Sequence, residues 1–425
     1  MLDPTLTEGL AGLPKSATLA INERSAALQR DGRLVYRFGL GQSPFPVPEV
    51  VVAALRAHAA EKDYLPVEGL WPLREAVASF HRRLDGAEVS AEGVMIGPGS
   101  KELMFLTQLA FGGQLVLPTP CWVSYGPQAR IAGREVLRIP TSAEARWRLT
   151  GEQLAAHCAK ERGRPRLLIL NYPGNPDGDT YCAEELQGIA AAARAHGVIV
   201  LSDEIYGLTH HRGEHVSIAR FYPEGTIISG GLSKWCGAGG WRLGTMTFPP
   251  ALAWLQSAVA SAASESFTSV SAPIQYAAIT AFECGSEVQD YLAHSQRVLA
   301  TLGAAITERL RGADVQLEAP QGAFYLWLDF SRHATALAAR GIRDSPTLCE
   351  RLLQDTGVAI LPGAAFERRS DELTARLAYV DFDGGRALEV SAQAPLTSPP
   401  PEALLTEACA RVIDGIDALC AWLQG

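Results

Sequence analysis

The chain has no Cys-x-x-C pair, no Cys/His cluster at zinc-ligand spacing, and no apolar run of membrane-spanning length. Its eight cysteines are scattered, which excludes a disulfide scaffold and a zinc module and suits thiols in a reducing compartment. Positive charge is short. Against 46 acidic residues stand 37 lysines and arginines, a formal net charge of −9. That balance disfavours nucleic acid or an anionic membrane as main partner. Residues 1–5 lack the basic start and apolar stretch of a secretory leader, so a cytoplasmic location is expected. Internal repeats are absent, and low complexity is confined to Pro399-Pro400-Pro401.

What is present is an ordinary globular composition: 425 residues, 47% apolar and 20% charged. That length predicts a large core and a second lobe. From about residue 94, continuous apolar runs (94–96, 115–117, 167–170, 198–202) alternate with helical stretches (101–111, 183–196). This pattern predicts an α/β chain whose central sheet is mostly parallel and covered on both faces. Residues 50–283 are expected to form the large domain. Residues 1–49 and 284–425 are expected to form a smaller α+β domain with an N-terminal arm, helical at 20–29. In the smaller part, helices are expected at 290–311 and 402–423, and strands at 324–328 and 376–380. Residues 381–401 read as irregular.

Ligands of such sheets sit at the carboxyl ends of the strands, so the polar residues there are the candidates. Lys234 lies in Ser233-Lys234-Trp235-Cys236-Gly237, between apolar segments at 226–229 and 243–248. Lysine is seldom buried unless paired or used, and a desolvated lysine is a nucleophile or Schiff-base former. Arg242 lies across a glycine run and offers a fork for an oxyanion. An amine for an aldehyde and a guanidinium for a phosphate together suggest pyridoxal phosphate. The alternative is a surface lysine beside a flexible loop.

Further strand ends supply what that cofactor needs. Asp203 ends an apolar run, where a carboxylate either pairs with a pyridinium or caps a turn. Tyr206 is a phenol donor or a core residue. Asn175 sits in the proline-punctuated Asn171-Tyr172-Pro173-Gly174-Asn175-Pro176-Asp177-Gly178. Gly99-Ser100-Lys101 opens a helix after a strand, a phosphate site or a plain turn. Trp122 is a stacking face or an interface residue. Arg376 clamps a carboxylate or pairs with Glu372.

These motifs resemble the fold-type I pyridoxal phosphate enzymes, specifically the class I/II aminotransferases, over nearly the whole chain. The resemblance rests on Ser233-Lys234 with Arg242 and Gly244, on Asn171 to Gly178, and on Asp203-Glu204-Ile205-Tyr206. Supporting segments are Gly41 to Phe45, Pro118 to Tyr125, Pro320 to Tyr325 and Leu361 to Phe366. It implies a PLP-transferase-like large domain. It also implies that Lys234 forms the Schiff base and moves the proton, while Asp203 pairs with the ring nitrogen. Asn175 and Tyr206 would then contact the phenolate oxygen and Trp122 stack on the ring. Gly99, Ser100, Lys101, Ser233 and Arg242 would hold the phosphate. Tyr64 would reach the phosphate of a neighbouring subunit in a homodimer with shared sites. Arg376, with Asn175 and the Gly41 loop, would bind the substrate carboxylate.

Two positions depart from the family pattern. Gly231 stands where many relatives place a phosphate-binding serine, leaving Ser233 or Ser229 to substitute, or the cradle with one ligand fewer. Asp177 stands where a threonine is usual, and its carboxylate near the rim is expected to discourage acidic side chains or to bind a cationic one. The implied function is transfer of an amino group between an L-amino acid and a 2-oxo acid. A lyase or replacement enzyme of the same fold, or a non-catalytic binding protein, are the alternatives. A dicarboxylic substrate would need a second cation, for which Arg37, Arg297 and Arg343 are candidates.

Overall fold

The computed structural model describes residues 5–425, so the first four residues of the expected arm lie outside the described residues. The strands in chain order are β1 (Tyr36–Arg37), β2 (Val94–Gly97), β3 (Gln114–Thr119), β4 (Val136–Pro140), β5 (Arg166–Asn171) and β6 (Val198–Asp203). They continue with β7 (Thr226–Gly231), β8 (Gly244–Thr247), β9 (Tyr325–Asp329), β10 (Val358–Ala359), β11 (Leu361–Pro362) and β12 (Thr374–Ala378). The first four helices are α1 (Ala17–Arg30), α2 (Glu49–Ala57), α3 (Trp71–Phe80) and α4 (Ser100–Ala110).

Seven strands form the main sheet in the order β2-β8-β7-β6-β5-β3-β4. The strands from β4 across to β7 are parallel, and β8 runs antiparallel to both β7 and β2. The continuous apolar runs have a direct cause. In β5, Leu167 and Ile169 enter one core cluster, while Leu168 and Leu170 enter another on the opposite face. A strand packed on both sides has no face to leave polar.

A three-stranded antiparallel sheet, β11-β12-β9, packs with the long helix Ser286–Gly312 and the closing helix Ala410–Gln424 around a second core. In this region and in the main sheet the structure corrects several expectations. Residues 384–391 are a helix rather than irregular chain, hidden by the poor helix propensity of Gly384-Gly385. The Asp383 carboxylate starts it by accepting from the Arg386 amide at 3.0 Å. The Arg297 guanidinium then donates to carbonyls of Ser391, Ala394, Pro395, Ser398 and Pro399, pinning the proline-rich loop beyond that helix. The closing helix begins at Ala410, after a π turn at Leu404–Ala408. Edge strand β4 and helices Ala253–Ser264 and Ala272–Glu283 went unanticipated. No described helix is long and apolar enough to cross a membrane.

Candidate active site

Parallel strands ending at one level bring the chemistry together. Asn171 and Asp203 are register partners at the ends of β5 and β6. The Asn171 Nδ2 donates to the Asp203 carbonyl at 2.8 Å, and its Oδ1 accepts from the Asn175 amide at 2.7 Å. One asparagine thereby ties two strand ends and fixes the turn that carries another. Tyr125 Oη donates to Asp203 Oδ2 at 2.5 Å, while Asp203 Oδ1 is buried with no partner among the described residues. Burial pushes the Asp203 carboxyl up to about 6, against the opposing pulls of the Tyr125 bond, the Ile205 amide and then Lys234. Its neighbour Glu204 faces away, into bonds with Ser202, Ser217, Tyr172 and His215.

Lys234 comes after β7 and a sharp bend. Gly231 holds φ +148°, and a Cβ there would fall 2.7 Å from the Leu243 carbonyl oxygen, so no serine fits. Of the two substitutes, Ser233 lines the cavity, whereas Ser229 is fully buried in β7. Lys234 Nζ donates to the Gly41 carbonyl at 2.8 Å and lies 5.6 Å from the Tyr206 ring centre. Burial first, and Arg376 second, pull its pKa down to about 8. About a tenth of such amines are neutral at pH 7, against roughly one in three thousand for an unperturbed lysine.

Arg242 and Gly99 form the floor at the start of α4. A Cβ at Gly99 would fall 2.2 Å from Arg242 Nη2, and Gly99 holds φ +92°. Arg242 Nη1 is anchored on the Gly239 carbonyl at 2.8 Å. Opposite, Arg376 is 1% exposed and donates to Asn175 Oδ1 at 3.0 Å and to the Gly39 carbonyl, while its Nε has no partner among the described residues. Because Asn175 Oδ1 faces Arg376, its Nδ2 is the end turned to other acceptors.

A cavity of about 470 Å3 is lined by Gly41, Ser100, Lys101, Trp122, Asn175, Asp203, Tyr206, Ser233, Lys234, Arg242 and Arg376. Tyr64 lies outside it and is 91% exposed. Arg37, Arg297 and Arg343 do not line it either. Arg37 bonds to Asn22 at 2.9 Å, and Arg297 is occupied on its loop. The cavity's additional cation is Lys101, which the resemblance assigned to the phosphate; its Nζ lies 5.2 Å from the Trp122 ring centre. Partial desolvation, then Arg242, lowers its pKa.

Asp177 is also displaced from expectation. It lines a separate cavity of about 40 Å3 behind Asn175, where burial and then Asp179 push it up to about 7. Sequence reading missed Ser16, Thr18 and Leu19, which line the main cavity at the start of α1, and the roles of Tyr125 and Tyr325. No local pattern marks α1 as a wall. Tyr125 stands three residues past Trp122, a spacing that was there to be used.

The donor set fits pyridoxal phosphate. It offers an orphaned carboxylate oxygen for a ring nitrogen, a depressed lysine, donors at Tyr206 and Asn175, and an arginine over a glycine-opened helix.

A family model described as aminotransferase class I and II matches residues 35–379. The aspartate aminotransferase of Geobacillus stearothermophilus is 33% identical over 85% of this chain and 91% of its own length. A probable aspartate/prephenate aminotransferase of Thermus aquaticus is 31% identical over 92% of this chain and 99% of its own. Among solved structures, the Thermus thermophilus aspartate aminotransferase with maleate superposes at TM-score 0.84. It is 27% identical over 99% of this chain and 100% of that one.

Proposed function

The chain belongs to the class I and II aminotransferases, and on that premise we propose that a dicarboxylic amino acid such as aspartate is its donor. As a member it is a pyridoxal phosphate-dependent transferase that moves an amino group between an amino acid and a 2-oxo acid. The observation that carries the substrate class is the second pole of the cavity. Arg376 and the phosphate-side Arg242 account for two anions. Lys101 is a further cation, and it shares the wall with Ser16 and Thr18 at the start of α1. That helix has no side-chain cap, and the Thr18 hydroxyl is buried with no partner among the described residues. Uncapped amides, a hydroxyl and an ammonium suit a side-chain carboxylate. The relatives' names point the same way, since aspartate and prephenate both carry two carboxylates.

The coenzyme supplies an electron sink when bound. The chain's residues supply the rest. Arg376, backed by Asn175, orients the α-carboxylate. Asp203, braced by Tyr125, keeps a proton on the ring nitrogen. Lys234, with its depressed pKa, carries the proton taken from and returned to carbon. Tyr206 and Asn175 Nδ2 donate to the phenolate oxygen. Tyr64 serves a neighbouring subunit in a homodimer, and unchanged coenzyme affinity in Tyr64→Phe would remove that assignment.

The test is the half-reaction. L-aspartate alone should convert the coenzyme-loaded protein to the pyridoxamine form without releasing ammonia. Lys101→Ala should lower kcat/KM for aspartate about tenfold or more while leaving leucine within about twofold. Equal losses for both substrates would refute the dicarboxylate reading.

A further inference from the structure

Tyr325 opens β9 beside the site and is 1% exposed. In the register of β9 and β12, Tyr325 pairs with Ala378 and Trp327 with Arg376. Those four residues share one face, so Tyr325 and Arg376 are diagonal neighbours. Leu326 and Leu377, the alternate residues of the two strands, pair with each other on the other face. The Arg376 guanidinium carbon lies 4.8 Å from the Tyr325 ring centre and 5.0 Å from that of Phe366. A fully buried cation with two protein acceptors relies on such faces to stay in place.

The hydroxyl end of Tyr325 reaches a different part of the site. It lies 2.7 Å from Tyr206 Oη and 3.5 Å from the Gly41 carbonyl, which already accepts from Lys234. A Cβ at Gly41 would fall 1.9 Å from that hydroxyl, so only glycine at 41 admits the phenol. Each phenol has one proton to give. Either phenol can give the proton of their 2.7 Å contact; with Tyr206 as donor the Tyr325 proton lies on the Gly41 carbonyl, and with Tyr325 as donor it lies on Tyr206. In the second arrangement the Tyr206 proton is left for an acceptor in the cavity.

We propose that Tyr325 is a positioning residue with two separable tasks. Its hydroxyl turns the Tyr206 proton into the cavity, and its ring holds the Arg376 guanidinium for a substrate carboxylate. This rests on the reading of Tyr206 as a coenzyme partner and Arg376 as the carboxylate clamp.

The coenzyme-loaded enzyme gives two readouts besides turnover: the pH midpoint of its visible absorption band, and the affinity for maleate, an unreactive dicarboxylate. Tyr325→Phe keeps the ring and loses the hydroxyl. Its midpoint should rise by about half a pH unit, because a phenolate with a weaker donor raises the basicity of the neighbouring imine nitrogen. Its maleate affinity should stay within about twofold of wild type. Tyr325→Leu should show the same midpoint shift and bind maleate about tenfold more weakly. A Tyr325→Phe midpoint equal to wild type overturns the hydroxyl task, and this variant decides it even if Tyr325→Leu fails to fold. A tenfold loss of maleate affinity in Tyr325→Phe, or wild-type affinity in Tyr325→Leu, overturns the ring task. Arg376→Lys is the control for the parent reading. If it binds maleate undiminished, the clamp assignment fails whatever the Tyr325 variants do.

Discussion

The carboxyl rim of the seven-stranded sheet and the face of the three-stranded sheet both supply the site, by different means. On the rim, each strand contributes its last residue or the turn after it, so neighbours in space are strand ends: Asn171, Asp203 and the bend to Lys234. On the small sheet, the contributors are strand residues chosen by alternation, Arg376 and Tyr325, with leucines between them facing the core. The rim residues carry shifted proton affinities, about 6 for Asp203 and about 8 for Lys234. Of the small-sheet residues, Arg376 brings a charge and Tyr325 a ring against it together with a hydroxyl that reaches Tyr206 on the rim side. On the proposed reading, the rim performs the proton chemistry and Arg376 of the small sheet recognises the carboxylate.

The largest expected effect separates the two. Lys234→Met should reduce transamination by on the order of 10^5-fold. It should also stabilise the coenzyme-free protein at pH 7. The folded pKa of Lys234, about 8, lies below its ordinary value of 10.5, so the unfolded chain binds the proton more tightly. Folding is therefore penalised below pH 8, and the penalty fades as pH rises toward 10.5. Removing the amine should add about 1–3 kcal/mol at pH 7 and little at about pH 11, as read by chemical denaturation. A variant less stable than wild type at pH 7 would blur the division.

Arg376→Lys should come next, raising KM for the amino donor about 10–100-fold with a smaller change in kcat, since an ammonium cannot make the fork. A kcat loss as large as the KM change would mean that the small sheet takes part in the chemistry. The smallest effect should be that of Asp177→Thr. Its carboxylate faces the rear cavity, so relative kcat/KM for aspartate and leucine should stay within about twofold. A preference change would restore Asp177 to the rim.

The same contrast explains what could be read from the chain. Strand ends were legible because a run buried on both faces stops where polarity begins, as at Asn171 and Asp203. Arg376 was legible from its position at a strand, but its partners were not, because alternation does not reveal which strand lies opposite. The return of α1, which places Ser16 and Thr18 in the wall, depends on packing against distant parts of the chain. The helix after Asp383 was masked by paired glycines, and Arg297 looked available only because its carbonyl partners lie beyond that unseen helix.

The proposed assignment of the coenzyme to Lys234, rather than to the cavity's other lysine, is what the reading of the rim depends on. Borohydride reduction of the loaded protein, digestion and mass spectrometry test it directly. The pyridoxyl phosphate mass is expected on the peptide containing Lys234 and not on that containing Lys101. The mass on Lys101, or on neither, would contradict it.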